Sequence, residues 1–211
     1  DIFPKWAIDL EILKKEGIKH KILRAFENLQ YRTADTIAIQ TEGNISYFDD
    51  IPNTSKKIKI LRTWYDSSSS EIYLPESICN AIPKNKKILL YAGNLGIAQD
   101  QELLLETIKK MQDQKEFVFL LLGLKDKDKH NVKKYSSIHG LSNLLLLDSI
   151  DHKYMDALCR RSYIGIFSLD KRHTTHNIPG KFLQYLSTGL PVFGLCGKGD
   201  IVKLISDRGF G

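Results

Sequence analysis

Five runs of four to six residues dominate the second half of this chain: 88–92, 117–122, 144–147, 163–168 and 191–195, each apolar almost throughout. A strand with one face in water alternates apolar and polar residues, whereas a strand apolar along its whole length is covered on both faces. Between these runs lie segments with a helical period. Residues 101–111 carry Leu104, Leu105, Ile108 and Met111 on one face, and 154–159 and 179–188 also read as helices. Buried strands alternating with helices predict an α/β domain with a doubly wound, Rossmann-like parallel sheet. Sheets of this kind bind ligands at the carboxyl ends of their strands. Any chemistry is therefore expected in the loops after Ala92, Leu122, Leu147 and Ser168.

The first half is patterned differently. Two amphipathic stretches, 6–15 and 19–31, precede a short apolar strand at 36–40 and a turn or helix start at Glu42-Gly43-Asn44. An alternating strand follows at 57–61, then four consecutive serines at 67–70, which read as a loop or linker. Residues 75–83 read as a continuation of that irregular connection. The chain is thus expected to break in the seventies, with two unequal parts among its 211 residues.

Composition narrows the function classes. No apolar stretch approaches the roughly 18 residues of a membrane-spanning helix, and a hydrophobic share of 42% excludes a disordered chain. The three cysteines, Cys79, Cys159 and Cys196, are far apart and odd in number, which argues for a reducing compartment over a disulfide framework. The net charge of +6 is spread among acids, as in 125–129, and reads as a solvated surface that would also favour anionic substrates or membrane faces. No basic helix or aromatic-basic stripe marks a nucleic-acid binder. The opening Asp1-Ile2-Phe3-Pro4 and the closing Arg208-Gly209-Phe210-Gly211 are read as the ends of an internal piece of a longer protein.

Two loops could carry chemistry. Gly93-Asn94-Leu95-Gly96 follows a strand and precedes a helix, so it fits either a tight turn or a phosphate cradle. It lacks the third glycine of a dinucleotide fingerprint. The segment 173–186 starts a helix, with Asn177 expected as its cap, Pro179 and Gly180 in its first turn, and Gly189 at its end. Lys181 then stands in the first turn, where the helix dipole repels a cation. A bound anion would explain it, and an ordinary exposed lysine is the plainer alternative. Gln184 lies one turn on, facing the same side. His173 and His176 have no third ligand at metal-site spacing and are expected to form hydrogen bonds instead. Asp100, Asp148 and Asp170 are expected in capping or surface roles. The residues alone point to an anionic, phosphorylated ligand in the second half.

The stretch from His176 through Gln184-Tyr185-Leu186-Ser187-Thr188-Gly189-Leu190-Pro191-Val192 resembles the signature of family 4 glycosyltransferases of the GT-B fold, in which two glutamates eight positions apart lead into a helix-to-strand passage. Tyr91-Ala92-Gly93-Asn94-Leu95-Gly96 is similar to that family's glycine loop, Asp35-Thr36-Ile37-Ala38-Ile39 to its acceptor-domain strand, and Asp1-Ile2-Phe3-Pro4 to a motif of the O-antigen and capsule, aminosugar-transferase-like branch. The resemblance implies a partial N-terminal acceptor domain over 1–66, an interdomain linker over 67–83 and a C-terminal nucleotide-sugar-binding domain over 84–211, incomplete at its end. It implies a retaining enzyme that moves a sugar from a UDP-sugar to a glycan or lipid-linked acceptor. No metal or other cofactor, no nucleic acid, a cytoplasmic location and peripheral contact with the inner membrane face are implied with it. A GT-B epimerase and a non-catalytic sugar-nucleotide-binding module are the alternatives.

Carried over residue by residue, the resemblance places Gly93, Asn94 and Gly96 against the diphosphate, with Lys181, beside the nucleotide-sugar-binding Gly180, supplying positive charge and Lys171 or Arg172 as helpers. Gly123 and Ser149 would border the base, Gln184 would hold the ribose, and His176 would face the donor sugar, with Asn177 also among the nucleotide-sugar-binding residues. Both motif glutamates are replaced here, by His176 and Gln184, and the usual basic residues of the glycine loop appear as Asn94 and Gln99. The acceptor-side catalytic residues are expected upstream of this chain.

Overall fold

A computed structural model of the chain describes residues 2–65 and 72–208. These fall into two units. Of the described residues, one takes those up to Trp64, together with Asp170–Ile178 and 197–208; the other takes those of Tyr65–Leu169 and Pro179–Cys196. The serine tract at 67–70 lies outside the described residues.

The second unit is built on five parallel strands: β3 (Lys87–Ala92), β4 (Phe117–Leu122), β5 (Leu144–Leu147), β6 (Ile164–Ser168) and β7 (Val192–Leu195), in spatial order β5-β4-β3-β6-β7. The chain winds from β3 to β4 to β5, then returns to the free side of β3 as β6, so the winding direction reverses between β3 and β6. That reversal opens a crevice at the carboxyl ends of those two strands, as in other doubly wound sheets. The expectation of strands covered on both faces holds most clearly for β3 and β4, where Leu90, Tyr91, Leu120 and Leu121 have no exposed surface. Helices α4 (Gln101–Lys110) and α5 (Asp126–His139) add Leu104, Leu105, Ile108 and Val132 to the same core. Asp100 caps α4 through the Leu103 amide, and Gly140, at φ 60°, ends α5 in the left-handed conformation that glycine adopts without a Cβ penalty.

Helix α7 (Gly180–Ser187) is fixed to the sheet by Tyr185. Its hydroxyl accepts from the Ala92 amide at 3.0 Å and donates toward the Leu90 and Ile166 carbonyls, both at 3.3 Å. These groups belong to the two strands that part at the crevice. The ring lies against Gly165, where a Cβ would come within 2.4 Å of it. Glycine is required there by close approach.

In the first unit, β1 (Ile37–Ile39) and β2 (Ile58–Ile60) pair in parallel, and Ile37, Ile39, Phe48 and Ile51 form a small core. Helix α1 (Lys5–Asp9) is shorter than the amphipathic stretch 6–15, because the chain turns at Glu11 with φ 59° and no longer follows helical geometry. Helix α2 (Ile18–Thr33) matches its periodicity but leaves Ile18, Ile22, Phe26 and Leu29 exposed. Two further differences from the sequence reading concern starts of helices. Residues 75–83 contain a helix, α3 (Glu76–Ala81), for which Pro75 at the cap and Glu76 in the first turn are suitable start signals. Helix α7 begins at Gly180 with Pro179 as its cap, two residues beyond the expected cap Asn177, because Asp170–Ile178 packs in the first unit. Helix α6 (Met155–Arg161) lies in the second unit and α8 (Asp200–Arg208) in the first. All three cysteines are free.

Candidate functional site

The second unit gathers Gly93, Gly123, Ser149, Ile150, Met155 and Gln184 around a cavity of about 220 Å³ at the carboxyl ends of β3, β4 and β5. Gly123 has φ 70°, and a Cβ there would meet Ser149 only at ordinary contact distance, so its backbone angle is what calls for glycine. Asp148, beside Ser149, pairs with Lys129, whose ammonium holds its carboxyl below the usual range.

The glycine loop is internally bonded. The Gly93 amide donates to the Leu122 carbonyl at 2.8 Å, and the Gly96 amide to Gln99 Oε1 at 2.9 Å. Tyr91 donates its hydroxyl to the Asn94 carbonyl at 2.9 Å. The loop is therefore tied by its own hydrogen bonds, with the Gly96 amide engaged by the Gln99 side chain. What it offers directly is position.

Lys181 is different. Its ammonium lies 3.7 Å from the centroid of the Tyr91 ring and 3.5 Å from the Asn94 carbonyl. Among the described residues no carboxylate forms an ion pair with it. Burial, opposing the charged form, pulls its pKa down to about 7. A half-buried cation held only by a ring face and a carbonyl, on a helix start that disfavours positive charge, is matched to a negative ligand. Gly180 opens the helix in open space and is not required there by crowding.

Gln184 lines the cavity one turn further along α7. Its amide donates to the Tyr65 hydroxyl at 2.9 Å, which in turn donates to the buried Asp156 carboxyl at 3.1 Å. Sequence reading missed Tyr65 and Asp156, which stand 119 and 28 positions from Gln184.

His176 and Asn177 fall in the first unit. The His176 amide donates to Asn44 Oδ1 at 2.9 Å, and its carbonyl accepts from Thr41 at 2.6 Å. Its ring Nδ1 is 3.0 Å from Asp200 Oδ1, and Asp200 Oδ2 accepts from the Gly43 amide at 2.7 Å. Burial alone would raise Asp200, but the bonds from Gly43 and His176 outweigh it and hold the carboxyl below its usual range. A Cβ on Gly43 would lie 2.2 Å from that ring nitrogen, so only glycine admits the imidazole. His176 also lines a hollow of about 460 Å³ with Glu42, Gly43, Arg62, Asp200 and Lys203. His173 is half-buried, and burial lowers its pKa. The structure thus brings Gly93, Gly123, Ser149 and Gln184 together, with Asn94, Gly96, Gly180 and Lys181 on the neighbouring loop and helix start, and assigns His176 and Asn177 to the other unit.

Comparison with solved structures identifies the architecture. Anabaena HepE in complex with UDP and glucose superimposes with a TM-score of 0.66 at 15% identity, covering 86% of this chain and 49% of that one. WaaG, a glycosyltransferase of lipopolysaccharide biosynthesis, gives 0.66 at 15% identity over 90% of this chain and 53% of its own. The fold is that of a GT-B glycosyltransferase. Sucrose-phosphate synthase from Thermosynechococcus elongatus matches equally well, with a TM-score of 0.66 at 13% identity over 97% of this chain and 58% of that one. In sequence, the chain is 21% identical over its whole length to the probable glycosyltransferase WbjE of Pseudomonas aeruginosa, and it spans 53% of that protein. No family model matches. Among the described residues, no helix of this GT-B chain is long and apolar enough to cross a membrane.

Proposed function

We propose that this chain is the donor-binding part of a retaining glycosyltransferase that moves a sugar from a UDP-sugar to a glycan or lipid-linked acceptor in the synthesis of bacterial surface polysaccharide. The observation that carries this reading is Lys181, a partly desolvated ammonium that pairs with no carboxylate among the described residues, at the edge of a switch-point crevice. Solved relatives in fold bind UDP and glucose, and the curated relative is a probable glycosyltransferase.

The chemistry follows from charge. Breaking the bond between sugar and diphosphate leaves negative charge on the leaving oxygen. An ammonium already stripped of water meets that charge without reorganising solvent, and the first-turn amides of α7 add their dipoles. Lys181 and these amides would do this without a metal ion. Gln184, the Gly123 loop and Ser149 would hold the nucleoside in the cavity. Peripheral contact with an anionic membrane face is supported by the net charge of +6 and by the exposed apolar side chains of α2 beside Lys19 and Lys21.

The test is a calorimetric titration with UDP, followed by incubation of the full-length protein with UDP-sugars and membranes. Saturable UDP binding and labelled glycan are expected. Conversion of the donor to an isomer without acceptor would instead indicate an epimerase, and binding without any turnover a non-catalytic module.

A further inference from the structure

Gln184, Tyr65 and Asp156 form a chain of hydrogen bonds with a fixed direction. Tyr65 has one hydroxyl proton, and it goes to Asp156 Oδ1 at 3.1 Å. Toward residue 184 the phenol oxygen can therefore only accept. It does so from Gln184 Nε2 at 2.9 Å. Asp156 and Gln184 are both buried, at 6% and 9% exposure, which limits the partners their side chains can reach. The His152 ring lies beside Tyr65, with centroids 6.2 Å apart, and limits where the phenol can move.

With its nitrogen committed to Tyr65, the Gln184 amide has its Oε1 left for the cavity that the side chain lines with Gly93, Gly123 and Ser149. We infer that Tyr65 and Asp156 are positioning residues that fix the orientation of Gln184, so that it presents a hydrogen-bond acceptor to the hydroxyl groups of a bound nucleotide. This rests on the donor-binding reading above. It also explains why an amide stands at 184. A glutamate would oblige two carboxylates to compete for the single proton of Tyr65, and the loser would be a buried, unpaired charge.

The inference is tested by reversing the direction of the chain. Gln184→Glu alone should lower the melting temperature and weaken UDP binding. In Gln184→Glu/Asp156→Asn, the new amide at 156 donates to the phenol oxygen and the phenol donates to the new carboxylate, so both properties should recover. Asp156→Asn alone should change little, because its amide oxygen still accepts. In a Tyr65→Phe background the rescue should vanish. Native protein and the double variant should prefer UDP to its 2′,3′-dideoxy analogue by roughly tenfold or more, as expected when a built acceptor loses its hydroxyl partner, and Gln184→Glu should lose most of that preference. Additive effects on melting temperature, with no rescue, would overturn the inference even if UDP binds normally. Rescue of stability in a protein that never binds UDP would uphold the bond direction, overturn the nucleotide role assigned to it and defeat the donor-binding reading.

Discussion

Two segments, one in each unit, treat partly buried charge in opposite ways. Around Asp170–Ile178 in the first unit, donors and acceptors are matched. Asp9 takes the amide and hydroxyl of Thr174, Asp170 grips Arg172, and Asp200 joins His176 to Gly43. At the start of α7 in the second unit, the ammonium of Lys181 has, among the described residues, an aromatic face and a carbonyl but no carboxylate. Matched polar groups hold a segment in one place. An unmatched, desolvated charge costs stability in the free protein and is compensated when a counter-charge arrives. The first pattern is what a structural anchor looks like; the second suits a ligand site.

Several substitutions would sharpen or break that contrast. The largest effect is expected from Gly43→Ala, whose methyl would collide with the His176 ring. Overpacking of this kind costs about 1–3 kcal/mol, and thermal unfolding should show a lower midpoint with UDP binding by the second unit retained. Next comes Lys181→Ala, expected to weaken UDP by about tenfold or more, equivalent to roughly 1.4 kcal/mol. Unchanged affinity in calorimetry would end the contrast at its ligand side. Lys181→Met should meanwhile raise the melting temperature at pH 7, because it removes a desolvated amine that has no carboxylate partner; a fall would mean that the lysine is structural.

The pH dependence has a definite sign. Lys181 titrates near 7 in the free protein, and a bound diphosphate raises that value, so binding takes up a proton and affinity should fall severalfold from pH 6.5 to 8. The difference between native and Lys181→Ala titrations isolates this effect from the ionisation of UDP itself. For folding, the sign is opposite. The unfolded lysine, with its ordinary high pKa, holds its proton more tightly than the folded one, so this group's contribution to stability rises with pH above 7. The smallest effect is expected from Glu42→Gln. Its pair with Arg62 is exposed on both sides, and screened surface pairs contribute little. No measurable change in melting temperature is expected.

Much of the second unit's architecture was legible because its strands are apolar on both faces and α4 and α7 keep a clean period; α5 was not, because Val132 is its single buried residue and a run of alternating lysines and aspartates reads as solvated surface. Lys181 was legible too, since a cation in a first turn after Pro179-Gly180 violates a local rule. The less legible features share one cause, which is partnership across sequence distance. Nothing near Tyr65 announces Asp156 or Gln184, and nothing in 170–178 announces that its amides and carbonyls are satisfied by Gln40, Thr41 and Asn44. The helix α3 was obscured by the two prolines that flank it, which mark irregular chain and helix starts alike.

Tyr185 separates two duties that a short helix would otherwise have to combine. One hydroxyl joins α7 to both strands where they diverge, while the side chains proposed to meet a ligand sit one and four positions earlier, at 184 and 181. Positions 181 and 184 are thereby freed from docking the helix. A lineage could exchange amide for acid, or lysine for arginine, and shift its donor preference while the helix stayed seated.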